Sequence, residues 1–285
     1  MYLGVGEVPG RGRQPGRRRL VAIKKLKDST DPAALDQLVQ EFALLDQVKH
    51  RGIVRVFDYI EDENAVVMEY IHGVTLRTVL DELESAHEQV FTEAAVEMGC
   101  EIADALYQAW TTPGDNGEPL QLVHRDLKPE NVMLRRDGAV KLMDFGIARF
   151  LDEVNLTVTG ALVGSPAYMS PEQAMERVLD TRSDLFSLGT LLFHLVTGQL
   201  PFSGSNPSII LRNIIEGNRP EVVELAPDIS GSLADTIERL LQTDADDRPS
   251  SSGEVRDALL QSVTELGIEP TTPQWDLRAW LEDPR

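Results

Sequence analysis

Cysteine is nearly missing from this sequence: Cys100 is the single one in 285 residues. That excludes a disulfide framework and any metal cluster built on thiolates. Its neighbours Met98, Ile102, Ala103 and Leu106 read as one apolar helix face, so a buried structural thiol is expected. Positive charge is scarce too. Against 47 Asp and Glu there are 27 Lys and Arg, a net charge of −20 that repels nucleic-acid phosphates and anionic membrane surfaces. The surplus reads first as a solubility device and second as a preference for basic partners. Long apolar runs are absent. The richest, Leu185 to Val196, is too short to cross a bilayer and carries His194, so it reads as a buried core helix. No charged-then-apolar leader opens the chain, and a cytoplasmic location is expected. The histidines (His50, His72, His87, His124 and His194) show no metal-ligand spacing.

What is present suits a folded protein with one large domain or two lobes around a cleft. Residues 1–6 and 19–26 read as two strands, joined by an arginine-rich turn from Pro9 to Arg18. A helix opens at Asp31-Pro32, with Leu35, Leu38, Phe42 and Leu45 at helical spacing. Strands are expected at 53–59 and 65–68, either side of the acidic turn Glu61-Asp62-Glu63-Asn64. Helices then dominate, at 76–83, 92–110, 183–197, 206–216, 231–242 and 252–266. A strand-rich first quarter before a helical remainder predicts an α+β protein with segregated lobes. The tail after Pro270 carries Trp275, Leu277, Trp280 and Leu281, an amphipathic turn or two expected to dock on the protein's own surface, with a partner groove as the alternative.

Three segments carry chemistry. His124-Arg125-Asp126-Leu127-Lys128-Pro129-Glu130-Asn131 fits the H-R-D-x-x-x-x-N pattern of phosphoryl transfer to a hydroxyl. That reaction needs a carboxylate to take the hydroxyl proton, for which Asp126 is the candidate. It needs oxygen ligands for a metal, a role suited to Asn131, and a cation near the transferred phosphate, suited to Lys128. Asp144-Phe145-Gly146 follows a short strand at 139–143, with Asp144 as the second metal ligand. Val21-Ala22-Ile23-Lys24 places Lys24 on the α- and β-phosphates, with Glu41 on the next helix as its ion-pair partner. Lys25 is the rival, and strand alternation lets only one of the two enter a cleft.

On these motifs the sequence resembles the eukaryotic-like Ser/Thr protein kinases of bacteria over nearly its whole length. The resemblance implies a bilobal fold: a small β-rich N-lobe over 1–68, a hinge at 69–71, a helical C-lobe over 72–266 and a tail over 267–285. It implies ATP and Mg²⁺ as cofactors, with Mn²⁺ as an alternative metal, and protein substrates with Ser or Thr acceptors. Met68 is then the gatekeeper. The backbone at Glu69 and Ile71 bonds adenine, and Ala22 and Met133 sandwich the ring. Residues 144–172 resemble the activation segment, with Ser165 in the substrate-positioning loop and Thr157 and Thr159 as autophosphorylation sites, in trans within a homodimer. Glu172, in Ser170-Pro171-Glu172, is expected to pair with Arg248, and Asp184 to brace the catalytic loop. His124 is expected to pack against Phe145 as a structural residue, not to act as a base.

The sequence departs from that family most at its start. The Gly-rich loop G-x-G-x-x-G-x-V and the first strand are missing ahead of Tyr2-Leu3-Gly4-Val5. The expected reason is a start site further upstream, with a natural truncation as the alternative, and lower ATP affinity and stability are expected of the written form. The rival functions are a pseudokinase scaffold, a small-molecule phosphotransferase and a metal-dependent hydrolase. Intact Lys24, Glu41, Asp126, Asn131 and Asp144 weigh against the first.

Overall fold

The computed structural model describes residues 2–8, 17–25, 42–145 and 166–265. Two antiparallel sheets and a helical body make up an α+β fold with two lobes. In the first sheet β1 (Tyr2–Val8), β2 (Arg17–Lys25), β3 (Val56–Ile60) and β4 (Ala65–Glu69) lie in the order β1-β2-β4-β3. The register sets Ala22 opposite Met68 and Lys24 opposite Val66. Central strands must bury their apolar side chains, and Val21, Ala22, Val66 and Met68 do so. Edge strand β1 leaves Tyr2, Leu3 and Val5 exposed. The turn between β3 and β4 closes at Asn64 in the left-handed region (φ 46°), which asparagine tolerates better than most residues. A helix over 42–47 (α1) buries Phe42 and Leu45, and the Phe42 ring stacks on Tyr59 at 5.7 Å.

A second sheet comprises β5 (Gly73–Thr75), β6 (Val132–Arg135) and β7 (Val140–Leu142). A Cβ at Gly73 would fall 2.2 Å from the Leu134 carbonyl oxygen, so only glycine permits this pairing. Residues 52–54 run beside β7: the Val54 N–H donates to the Leu142 carbonyl at 2.9 Å and the Leu142 N–H to that of Gly52 at 2.8 Å. Lys141, on β7, donates to the Ile53 carbonyl at 3.2 Å and pairs with the Glu69 carboxylate. The strand leading to Asp144 is therefore tied to residues 52–54 and to the end of β4.

The helical body comprises α2 (Leu76–Ala86), α3 (Thr92–Thr111), α4 (Pro171–Ala174), α5 (Thr181–Thr197), α6 (Pro207–Glu216), α7 (Val222–Leu225), α8 (Gly231–Leu240) and α9 (Ser252–Glu265). Helix α5 is apolar almost all round and buried on nearly every side, which makes it the axis of the lobe. Asp180 caps its start through the Arg182 N–H, and Gly198 ends it at φ 69°. Helices α3 and α8 pack against it, and α9 packs on both of those. Among the described residues no helix is long and apolar enough to cross a membrane.

The expected strands and long helices are present within a few residues of their expected bounds. Strands β5 and β6 and the one-turn helices α4 and α7 were not expected. Each has only three or four residues, too few for a period to show. The arginine-rich turn, the first part of the helix after Asp31, and the tail lie outside the described residues.

The most completely satisfied charge in this body is Arg248, whose side chain is fully buried. Its guanidinium grips Glu172 at both ends, Nη1 to Oε1 at 2.8 Å and Nη2 to Oε2 at 2.9 Å. Its remaining N–H groups donate to the carbonyls of Gln242, Arg182 and Thr243. Burial alone would raise the Glu172 carboxyl, but the Arg248 guanidinium and the Ser183 hydroxyl hold it below the usual carboxylate range. Removing one partner of such a pair strands the other in a site without water. Glu172→Gln is therefore expected to cost about 3–5 kcal/mol in urea unfolding; a loss under about 1 kcal/mol would contradict it.

Candidate active site

The segment from His124 to Asn131 crosses from the core to the cleft between the lobes, and side chains hold its backbone groups one by one. Asp184, on α5 and buried, accepts the His124 N–H at 2.6 Å and the Arg125 N–H at 2.8 Å. Burial pushes its carboxyl up to about 7, while those two N–H donors pull the other way. With a donor on each oxygen, the geometry is that of a carboxylate acceptor. Arg125 sits at φ 66°, a left-handed conformation costly for a residue with a Cβ and kept only where the surroundings impose it. Its carbonyl accepts from the Gln173 amide on α4 at 2.6 Å.

His124 is locked into this frame by two hydrogen bonds. Its Nε2 donates to the Met143 carbonyl at 2.8 Å, and Nδ1 accepts the Asp126 N–H at 3.3 Å. That pair of bonds needs the neutral ring with its proton on Nε2. Complete burial holds the ring's proton affinity below its ordinary value, in the same direction. The ring packs against Phe145 with centroids 4.5 Å apart.

Asp126 then faces the cleft, about a third exposed. Its Oδ2 receives both Lys128 Nζ and Asn131 Nδ2 at 2.8 Å, and Asn131 Nδ2 also reaches the Asp126 carbonyl. This leaves the amide oxygen of Asn131 for other use. The Met143 N–H donates to the Asn131 carbonyl at 2.8 Å, which seats the end of β7 beside the loop. One residue on, Asp144 turns at φ 52° and its carboxylate lies 2.7 Å from Lys24 Nζ. Lys25 points away, to Glu63 at 2.8 Å, as alternation along the strand requires. Ala22, Met68 and Ile71 are buried behind Lys24, with Met133 half-buried across the cleft.

The structure thus brings Lys24, Asp126, Lys128, Asn131 and Asp144 to one cleft, above a floor of His124, Phe145 and Asp184. Glu41, Thr157, Thr159 and Ser165 lie outside the described residues. Cys100 is mostly buried against α9, its Sγ 4.0 Å from the Arg256 carbonyl, and burial pushes its thiol up to about 12. Among the described residues no cluster of three or more His, Cys, Asp or Glu could hold a metal on its own. Sequence reasoning missed two ties, Lys141 to Glu69 and Gln173 to the loop. The second left a signal, because Ser170-Pro171-Glu172-Gln173 is a capping-box pattern.

The sequence matches known proteins. The model of the protein kinase domain family covers residues 4–261, so the chain belongs to the protein kinase family. A probable serine/threonine-protein kinase, PknB, of Lactococcus lactis is 32% identical over 234 residues, 81% of this chain and 35% of that protein. PknB of Mycolicibacterium smegmatis is 33% identical over 266 residues, 90% of this chain and 40% of that protein. The serine/threonine-protein kinase pkn2 of Myxococcus xanthus is 32% identical over 295 residues, 99% of this chain and 33% of that protein. The chain spans about a third to two fifths of the length of these relatives.

On α5 a second histidine is held neutral. His194 Nδ1 is 2.7 Å from the Tyr168 hydroxyl, and burial together with nearby Arg77 lowers its pKa to about 4. The unfolded chain takes up a proton near pH 6.5, and the folded one does not until about 4. Stability contributed by His194 is therefore full above pH 6.5 and falls as the pH drops toward 4. Between pH 7 and 5 the parent should lose about 1–2 kcal/mol more than His194→Gln, which keeps an acceptor for Tyr168. Parallel pH profiles in urea unfolding would contradict this.

Proposed function

We propose that the chain is an ATP-dependent protein Ser/Thr kinase that moves the γ-phosphate of ATP to a protein hydroxyl. The observation that carries the reading is the convergence of Lys128 and Asn131 on one oxygen of Asp126. With Oδ2 so held, Oδ1 is the oxygen that takes the proton of an incoming hydroxyl, and the carboxylate cannot rotate away from it. Lys128 stays beside the path of the transferred group, where it offsets the charge that builds there. Lys24 binds the α- and β-phosphates, with Glu41 as its steadying partner. Ala22 and Met133 enclose the adenine ring beneath Met68, and the backbone at Glu69 and Ile71 bonds its edge.

The oxygen donors of Asn131 and Asp144 suit a hard divalent cation that keeps several waters, Mg²⁺ in preference to Mn²⁺. Such an ion, when bound, screens phosphate charge. The Asn131 side chain is held by Asp126 and the Asp144 carboxylate by Lys24, so both are ordered before substrate arrives.

The lysine two places after Asp126 favours Ser or Thr acceptors over Tyr. Thr157 and Thr159 are proposed autophosphorylation sites, with Ser165 positioning the acceptor, and a homodimer would allow the reaction in trans. Protein partners with basic acceptor segments fit the net charge of −20, which disfavours nucleic acid and anionic membrane surfaces. A cytoplasmic location is part of the same reading.

The test is phosphate incorporation from γ-labelled ATP into a basic protein acceptor and into the chain itself, with Mg²⁺ or Mn²⁺. Asp126→Asn should lower the rate about 10²–10⁴-fold without changing the fold seen by circular dichroism. The label should be recovered as phosphoserine or phosphothreonine. Transfer by Asp126→Asn at the parental rate, or none by a folded parent, would refute the proposal.

A further inference from the structure

We propose that Gln173 is a positioning residue for the catalytic aspartate, acting through the Arg125 carbonyl; the inference rests on the kinase reading of Asp126. Its side chain is bound at both ends. The amide oxygen accepts the Ser170 N–H at 3.0 Å, and the amide nitrogen donates to the Arg125 carbonyl at 2.6 Å. The first bond is half of a capping box at the start of α4, completed by the Gln173 N–H donating to Ser170 Oγ at 3.2 Å. A capping box accepts glutamate as readily as glutamine at this position. The second bond does not. It needs an N–H donor, which a carboxylate lacks.

The carbonyl that Gln173 holds belongs to a peptide unit with special consequences. Its other end is the Asp126 N–H, which donates to His124 Nδ1 at 3.3 Å. Both faces of the Arg125–Asp126 peptide are thus set by side chains, His124 from within the loop and Gln173 from α4. The Arg125 backbone on its N-terminal side is left-handed at φ 66°. Nothing in the local chain favours that conformation. Asp184 fixes the N–H of Arg125 and Gln173 fixes its carbonyl, so the strained residue is clamped at both of its polar groups. Released, the peptide can rotate and carry the Asp126 carboxylate off its line.

The placement of Gln173 adds a link. Helix α4 is also held by the Glu172–Arg248 pair one residue earlier. Helix α4 therefore meets the catalytic loop through the Gln173 amide. Seating of α4 is read at Arg125 by Gln173.

Gln173→Glu separates the two bonds, since it keeps the capping box and loses the donor. Gln173→Met loses both. Asn206→Ala removes a helix cap elsewhere, where Asn206 accepts the Ile209 N–H at 3.1 Å, and serves as the stability control. Gln173→Glu is expected to melt close to the parent, to lower kcat at least ten-fold, and to leave KM for ATP within about two-fold. Amide hydrogen exchange at Asp126 should quicken at least ten-fold in the same variant. Asn206→Ala should melt lower and change neither kcat per folded molecule nor that exchange. Unchanged exchange at Asp126 in Gln173→Glu would overturn the proposal, as would parental kcat. If the folded parent transfers no phosphate, the proposed function fails by itself, and the exchange measurement still decides the role of Gln173.

Discussion

A carboxylate that accepts two consecutive backbone N–H groups fixes a peptide plane more firmly than any packing contact, because both angles and distances are directional. Asp184 does this from the first turn of α5, the most deeply buried of the described helices. The cost is the burial of a carboxyl group, whose proton affinity rises accordingly. The return is a loop whose register is set by the core rather than by the loop's own preferences. The cleft positions that the larger lobe supplies hang from that attachment. Asp126 follows Arg125 directly, Asn131 returns to Asp126, and the Met143 N–H rests on the Asn131 carbonyl, with Asp144 next along the chain.

Seen this way, the larger lobe is a mount with a few charged rivets. Arg248 and Glu172 fasten α4 to the same helix that carries Asp184, with Ser183 on α5 donating to Glu172. The first lobe reaches the site by two routes. One is Lys24 on β2, which meets Asp144. The other is β7, bound to residues 52–54 and, through Lys141 and Glu69, to the end of β4. Backbone strain at Arg125 and Asp144 is concentrated where these ties converge, as expected where function outweighs local preference.

The sequence made the chemistry more legible than the architecture. Asp126, Asn131, Asp144 and Lys24 stood out because phosphoryl transfer demands those groups at set spacings. The long helices showed because three or more turns give a pattern room to appear, an apolar stretch in α5 and an amphipathic one in α2. Strands β5 and β6 did not show, since their pairing is decided by residues some sixty positions apart and by the missing Cβ of Gly73. Lys141 looked like any surface lysine. Its burial follows from a partner on β4, which spacing along the chain cannot reveal. Gln173 was hidden for a similar reason: half of its contact is local, and half lies forty-eight residues away.

The central claim is that Asp184 sets the catalytic loop from below. Its most direct test is residue-resolved amide exchange at His124 and Arg125, in the parent and in Asp184→Asn. The account predicts a loss of protection at both amides of about 10–100-fold in the variant, the scale of a hydrogen bond to a charged group. Amides in the middle of α3 should keep their protection. Equal protection at His124 and Arg125 in the two proteins would contradict it.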